Sequence, residues 1–282
     1  MKKIGYVDYY IDEWHAHHCF KTVKAYNEQT GDDFQIVAGW AEIDKEGGLS
    51  TEEFCQKYGM KHCKSIKELC EEVDFVMVLA PNNPEKKPEY VREVFAYKKP
   101  TFIDKPLSNS YASALEIYEE GKKTGTPFFS SSSLRYVTEL DPYRGTATSI
   151  FTTGFGSTLE AYAVHHVEMI VACMGIGAKA VRFTLRGKQE WADIEYTDGR
   201  KAGFAISMAG EPLGFSALVV NKEGETYYRP ITSNMFGLQM TEILNFFNGK
   251  ELCFDSNETL EIIKIVDGIF ESKKTGEKWI TL

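Results

Sequence analysis

The stretch PTFIDKPLS, residues 100–108, ends a short apolar run with the acid Asp104, the lysine Lys105 and the proline Pro106. In an open α/β sheet, ligands bind outside the carboxyl ends of the strands. A lysine at such an end can donate to a substrate oxygen, and when desolvated it can exchange a proton near neutral pH. The alternative is a solvated lysine in front of a turn proline. The sequence therefore offers Lys105 as a candidate proton-transfer residue.

Two adjacent histidines, His165 and His166, lie in the apolar stretch EAYAVHHVEMIVACMG, which has the pattern of a helix. Helical spacing puts Tyr162 and Glu168 beside His165, whereas His166 faces about 100° away. Histidine exchanges protons near pH 7, and we expect that Glu168 could hold the second ring nitrogen of His165. The alternative is a core or interface histidine whose hydrogen bonds are satisfied.

The stretch DEWHAHHC, residues 12–19, has residue types that bind metals, because His15, His18 and Cys19 would share one face of a helix. Nothing elsewhere in the chain completes such a site, and the same stretch begins an amphipathic helix with apolar side chains to bury. We therefore predict no metal. The chain also carries no G-x-S-x-G, P-loop or H-E-x-x-H motif that would indicate acyl transfer, phosphoryl transfer or metalloprotease chemistry.

Short apolar runs alternate with longer helical patterns over residues 3–133, and these elements must position the candidate residues. The runs KIGYV, FQIVAGWA, DFVMVLA, PTFID and PFFSS are typical of buried strands. Capping boxes at Ser50 and Ser65, each followed three residues later by a glutamate, mark helix starts between them. This alternation predicts an α/β fold with a Rossmann-like, doubly wound parallel sheet and right-handed crossovers.

The pattern changes beyond Arg135 to alternating strands separated by glycine-containing turns, which predicts an α+β domain with an open, mostly antiparallel sheet. We expect a Rossmann-like domain over residues 1–134 and an α+β domain for the substrate or for oligomerisation over residues 135–282. Helical patterns occur in the second half at residues 159–173, 235–247 and 258–272.

The net charge of −9 gives the protein a field that repels nucleic acids and anionic membrane surfaces, so we expect neither as a partner. The chain begins without an apolar secretory segment and has no run long enough to span a bilayer. Its 6 cysteines form no C-x-x-C pair. We therefore expect a cytoplasmic protein with reduced thiols.

The order of LAPNN, DKPLS, LRY and AVHHVEMIVACMG along the chain resembles that of the glucose-fructose oxidoreductase / inositol dehydrogenase (Gfo/Idh/MocA) family of NAD(P)-dependent oxidoreductases. The likeness covers nearly the whole chain, including the closing segments GLQMTEILNFFNGKE and TLEIIKIVDGIFESKKTGEKWITL. It implies NAD or NADP as the cofactor and a sugar, cyclitol or related polyol as the substrate. It leaves open a homo-oligomer formed through the C-terminal sheet, because the second domain is short for the family.

The resemblance also implies roles for individual residues. Lys105 and His165 would handle the proton of the substrate hydroxyl while the hydride passes to the cofactor. The predicted cofactor-binding residues are Asp8, Tyr9, Tyr10, Pro81, Asn82 and Asp104. The predicted substrate-binding residues are Arg135, Tyr162, His166 and Glu168.

Two departures from the family pattern support a second hypothesis. Members of the family have the motif G-x-G-x-x-[GA] in the first turn, where glycines let the backbone approach the pyrophosphate. This chain has Asp8, Tyr9 and Tyr10 there. Ala161 stands where many members carry an aspartate on the face of His165. The alternative is therefore a non-redox member of the same fold that has lost ordinary dinucleotide binding: a sugar-binding protein, a regulatory protein or a proton-transfer enzyme.

Overall fold

The computed structural model describes residues 1–282, and the chain divides into two compact units. The first unit contains residues 1–131 and 236–253, and the second contains residues 132–235 and 254–282. These units differ from the contiguous domains predicted at 1–134 and 135–282, because the segment 236–253 belongs to the first unit. None of the helices combines the length and the apolar composition that crossing a membrane requires.

The first unit is built on a parallel sheet of 6 strands in the order β3-β2-β1-β4-β5-β6. Sequence order reverses between β1 and β4, which makes this edge the switch point where doubly wound sheets bind ligands. The strands are β1 (Lys2–Asp8), β2 (Phe34–Ala41), β3 (Lys61–His62), β4 (Phe75–Val78), β5 (Thr101–Asp104) and β6 (Phe128–Ser131). The predicted Rossmann-like sheet is confirmed, and β3 is a short strand that no apolar run marks.

Helices alternate with these strands, and two of them begin at serines that the sequence signals. They are α1 (Trp14–Thr30), α2 (Thr51–Tyr58), α3 (Ile66–Glu72), α4 (Lys87–Phe95) and α5 (Tyr111–Thr124), together with α7 (Met235–Phe247), which is counted in chain order. The predicted capping box at Ser50 is confirmed, and Ser65 caps α3 through the N–H of Glu68. The helix α2 ends at Gly59, whose φ of 67° is a left-handed conformation that suits glycine.

The second unit contains a mixed sheet of 7 strands in the order β12-β11-β7-β10-β9-β8-β13. Only β7 and β10 pair in parallel, so the predicted open, mostly antiparallel sheet is confirmed. Helices α6 (Leu159–Met174) and α8 (Asn257–Lys274) cover the sheet with the apolar core between them. The strands are β7 (Ser149–Phe155), β8 (Ala178–Arg186), β9 (Gln189–Tyr196), β10 (Lys201–Ser207), β11 (Ser216–Val220), β12 (Thr226–Pro230) and β13 (Ile280–Thr281).

We predict that Gly203→Ala destabilises the second unit. A Cβ at this position in β10 would lie 2.6 Å from the carbonyl oxygen of Ala192 on the paired strand β9, and a backbone atom cannot move aside cheaply. The expected loss is about 1–3 kcal/mol of unfolding free energy, measured by urea denaturation. Gly214→Ala is the control, since a Cβ there meets no atom within 4 Å. Equal stability of the two variants would contradict the prediction.

Candidate active site

Asp8 ends β1, and its side chain accepts hydrogen bonds from backbone groups of the protein. The carboxylate accepts from the backbone N–H of Tyr9 at 2.7 Å and of Ala80 at 3.0 Å, and the residue is only 1% exposed. Burial and the nearby Glu13 carboxylate raise the pKa of Asp8 well above its usual range, against the effect of the two N–H groups. Asp8 therefore ties the end of β1 to the segment that follows β4.

Glu13 caps the start of α1, a role that the sequence did not reveal. Its carboxylate accepts from the backbone N–H groups of His15, at 2.8 Å, and Ala16, and the residue is 5% exposed. Statistical preferences at the N-cap favour Ser, Thr, Asp and Asn, so a glutamate is easily passed over there. The available signal was the presence of acids directly before the helical pattern, where the helix dipole favours negative charge.

His15 joins two of the acids. Its Nδ1 lies 3.2 Å from Oε2 of Glu13 and 3.3 Å from Oδ2 of Asp104, which ends β5. Burial lowers the pKa of His15, but the Asp104 and Glu13 carboxylates outweigh burial and raise it overall. The stretch DEWHAHHC thus holds an acid–imidazole cluster, and no three His, Cys, Asp or Glu side chains of the chain form a group that could hold a metal.

A buried lysine holds the turn that carries Lys105. Lys87, fully buried at the start of α4, donates from Nζ to the carbonyl oxygens of Asp104, at 2.5 Å, and Pro106, at 2.7 Å. These carbonyls flank Lys105, which is half-buried. Burial lowers the pKa of Lys87 to about 7. Sequence reasoning missed Lys87 because a lysine in the run EKKPE has the pattern of a solvated surface.

The predicted cofactor-binding residues meet at the carboxyl ends of β1 and β4. Asn82 donates to the hydroxyl of Tyr10 at 3.0 Å, and the ring of Tyr9 lies edge-on to that of Tyr10. Pro81 directly precedes Asn82, and Asp8 binds the N–H of the residue before Pro81. The structure therefore brings together, at the switch point of the sheet, the residues that the resemblance assigned to the cofactor.

These residues do not fit the ordinary seat of a pyrophosphate. A Rossmann domain offers the phosphate a glycine-rich turn and the unpaired N–H groups of the first helix. Here the turn carries Tyr9 and Tyr10, and the N–H groups of His15 and Ala16 already bind the Glu13 carboxylate. The sheet is that of a dinucleotide-binding domain, but the Glu13 carboxylate occupies the helix N-terminus where a phosphate would bind.

His165 lies on α6 in the second unit and is half-buried. A hydrogen bond of 2.6 Å joins its Nδ1 to Oγ of Ser132, which also accepts from the N–H of Leu134. Because one N–H already donates to Oγ, the hydroxyl hydrogen of Ser132 can be directed to the imidazole. Ser132 is a third residue that the sequence did not indicate, and it orients His165.

Glu168 takes a different role from the one expected for it. Its carboxylate accepts from the N–H of Ser132, at 3.0 Å, and pairs with Nε of Arg135. Arg135 is 2% exposed, and it also binds Glu258 at 2.8 Å and lies over the ring of Phe254. Burial raises the pKa of Glu168, although the Arg135 charge opposes this. These two residues form a buried ion pair behind Ser132, and their predicted contact with substrate stays a prediction.

His166 has the contacts of a core histidine, the alternative raised above. It is fully buried, bonds Thr152 Oγ1 through Nδ1 at 2.9 Å and stacks on Phe204. Burial lowers its pKa to about 3, so the ring is neutral at physiological pH. Tyr162 is half-buried with its ring 5.8 Å from that of His165. The structure thus leaves Tyr162 beside His165 and draws His166 into the core.

Comparison with known proteins identifies the domain type. The family model GFO_IDH_MocA, described as an oxidoreductase family with an NAD-binding Rossmann fold, matches residues 9–131. No curated protein sequence matches the chain. The match agrees with the family predicted from the order of motifs.

Solved structures share the fold over both units. The myo-inositol dehydrogenase from Lactobacillus casei, in complex with NAD(H) and myo-inositol, has a TM-score of 0.80 at 11% identity, with 100% of this chain and 97% of that chain covered. GenD2 from gentamicin A biosynthesis, in complex with NAD, has a TM-score of 0.79 at 13% identity, with the same coverage. A Synechocystis biliverdin reductase reaches 0.70 at 14%, with 96% and 98% covered. At such identities the likeness shows the fold alone.

We predict that Lys87→Met changes how stability depends on pH. Between about pH 7 and pH 10 the unfolded chain keeps a proton on Lys87 that the folded protein has released, so Lys87 adds stability as the pH rises through this interval. The difference in unfolding free energy between wild type and Lys87→Met should therefore grow from pH 7 to pH 10 in urea titrations. Lys122→Met, at an exposed position on α5, is the control. A difference that is constant with pH would disprove the assignment.

We also predict that Glu168→Gln destabilises the second unit by about 3–5 kcal/mol, because it leaves the buried Arg135 without its nearest countercharge. The matched control on the same helix is Glu160→Gln, which breaks an exposed pair with Lys273 and should lower stability by less than about 1 kcal/mol. Thermal unfolding followed by circular dichroism compares the two variants. Similar melting temperatures would show that the buried pair contributes little.

Proposed function

We propose that the chain, whose residues 9–131 match the NAD-binding Rossmann domain of the Gfo/Idh/MocA oxidoreductase family, acts on a hydroxyl of a sugar, cyclitol or related polyol. The observation that carries the proposal is the placement of Lys105. It follows β5 at the carboxyl edge of the sheet, half-buried, in a turn held from both sides by Lys87. The myo-inositol bound to the Lactobacillus casei enzyme supports the substrate class.

In this class of reaction the hydroxyl loses its proton as the carbon-bound hydrogen leaves as hydride. A nicotinamide dinucleotide, when bound, would supply the hydride acceptor, and proton transfer would be the part that side chains of the chain perform. We assign this part to Lys105 and His165. Lys105 is half-buried at the carboxyl edge of the sheet, and the bond between Ser132 and Nδ1 fixes one orientation of the His165 imidazole.

A second candidate function is favoured by the carboxylates at the α1 turn. Glu13 caps the N-terminus of α1, and Asp8 is buried beside it, so the turn lacks the usual binding position for a phosphate. A non-redox protein of this fold would not need that position. It would bind a sugar, or it would use Lys105 and His165 for proton transfer alone. A sugar that raises the melting temperature while NADH and NADPH have no effect would favour this candidate. Nicotinamide released on denaturation of the purified protein would exclude it.

We predict that Lys105→Ala and Lys105→Arg both lower turnover of a polyol substrate by about 10²–10⁴-fold, because arginine keeps the charge but cannot release a proton. Substrates are found by following NADH absorbance with a panel of sugars and cyclitols. His165→Gln should reduce turnover in the same assay, and Lys122→Ala should leave it unchanged, since Lys122 is exposed on α5. Full activity of Lys105→Arg would refute proton transfer by Lys105.

A further inference from the structure

Four N–H groups of the α1 turn, where a Rossmann domain would hold a phosphate, are bonded within the chain. The N–H of Tyr9 donates to the Asp8 carboxylate, and the N–H of Glu13 donates to the carbonyl oxygen of Ile11. Those of His15 and Ala16, in the first turn of the helix, donate to the side chain of Glu13. Since α1 has 17 residues, its N-terminus carries a full helix dipole, and a carboxylate already neutralises it.

The surroundings of this turn are also unfavourable to a further anion. Asp8 Oδ2 and Asp104 Oδ2 are both buried and have no hydrogen-bond partner. Together with Glu13 they place three carboxylates around the switch point, against the imidazole of His15 and the buried amine of Lys87. A pyrophosphate would add two negative charges close to the carboxylates of Glu13 and Asp104, and like charges in a poorly solvated site repel strongly.

Glu13 is held where it is by more than the helix N–H groups. The imidazole of His15 lies 3.2 Å from Oε2, so the carboxylate contacts an ionisable ring on its own helix as well as two N–H donors. Displacing it would break these contacts and expose the first turn of α1. A ligand that takes this position must therefore compete with a carboxylate that is bound intramolecularly.

We propose that Glu13 is a built-in anion that occupies the phosphate position of this Rossmann domain, and that it weakens dinucleotide binding by the wild-type chain. The inference rests on the proposed function only in taking a dinucleotide as the ligand of this domain. It makes Glu13 the residue that sets affinity for the pyrophosphate group. A variant that removes the charge of Glu13 but keeps the helix capped should allow the pyrophosphate group to bind at the N-terminus of α1.

The test measures NADH binding, by fluorescence titration or calorimetry without substrate, for wild type, Glu13→Gln and Glu13→Ser. Glutamine keeps the shape and removes the charge, whereas serine keeps an N-cap and clears the space. Both variants should bind NADH at least about tenfold more tightly than wild type. Glu28→Gln, which removes the same charge near the far end of α1, is the matched control and should match wild type. Circular dichroism melting confirms that each variant is folded.

A second probe separates a phosphate effect from a general loosening of the turn. Adenosine carries no phosphate, so its binding should not improve in the Glu13 variants. Equal NADH affinity in wild type and both folded variants, including binding too weak to detect in all three, would overturn the proposal. An equal gain for adenosine would overturn it as well. Because no substrate is present, loss of the proposed oxidoreductase function in the Lys105 variants leaves this result unaffected.

Discussion

The N–H groups at the start of α1 need an acceptor, because they have no partner within the helix. In a glycine-rich Rossmann turn the acceptor is a phosphate of the ligand. In this protein it is the Glu13 carboxylate, bound by the N–H groups of His15 and Ala16. The imidazole of His15 lies 3.2 Å from this carboxylate and 3.3 Å from that of Asp104 at the end of β5. The capped turn of α1 thus lies against the end of the strand that Lys105 follows.

Burial gives this acid cluster its chemical character. Asp8 is nearly inaccessible to solvent, and its pKa is raised, so a negative charge there is disfavoured in spite of two N–H donors. Lys87 is buried as well, and with a pKa near 7 it can hold two carbonyl oxygens as a neutral amine with two hydrogens to donate. The turn at Lys105 is therefore positioned by a group that adds little charge of its own above pH 7.

The second unit orients His165 by a similar arrangement of buried polar groups. Ser132 bonds the imidazole through its hydroxyl, while its backbone N–H is held by Glu168. Glu168 is in turn fixed by Arg135, which is also bound by Glu258 from α8. Removing one member of such a chain leaves the next without a partner in a poorly solvated place. Arg135 and Glu168 thus support the segment that carries Ser132.

The sequence by itself determined the order of the elements and the chemical types at the edge of the sheet. Apolar runs alternating with capped helices can bury their faces in few ways, so the parallel and antiparallel sheets, the α6 helix and the place of Lys105 after β5 were all predictable.

Only the tertiary structure decided which polar groups meet. Lys87 and Asp104 are 17 positions apart, and Ser132 and His165 are 33 apart, so no local pattern relates them. The segment 236–253, which contains most of α7, belongs to the first unit although it is distant from residues 1–131 in the chain. Packing depends on matching surfaces and not on order in the chain. The sequence shows that Glu13 precedes a helix. Whether its carboxylate accepts from the N–H groups of that helix depends on burial and on neighbouring side chains, which only the folded chain brings together.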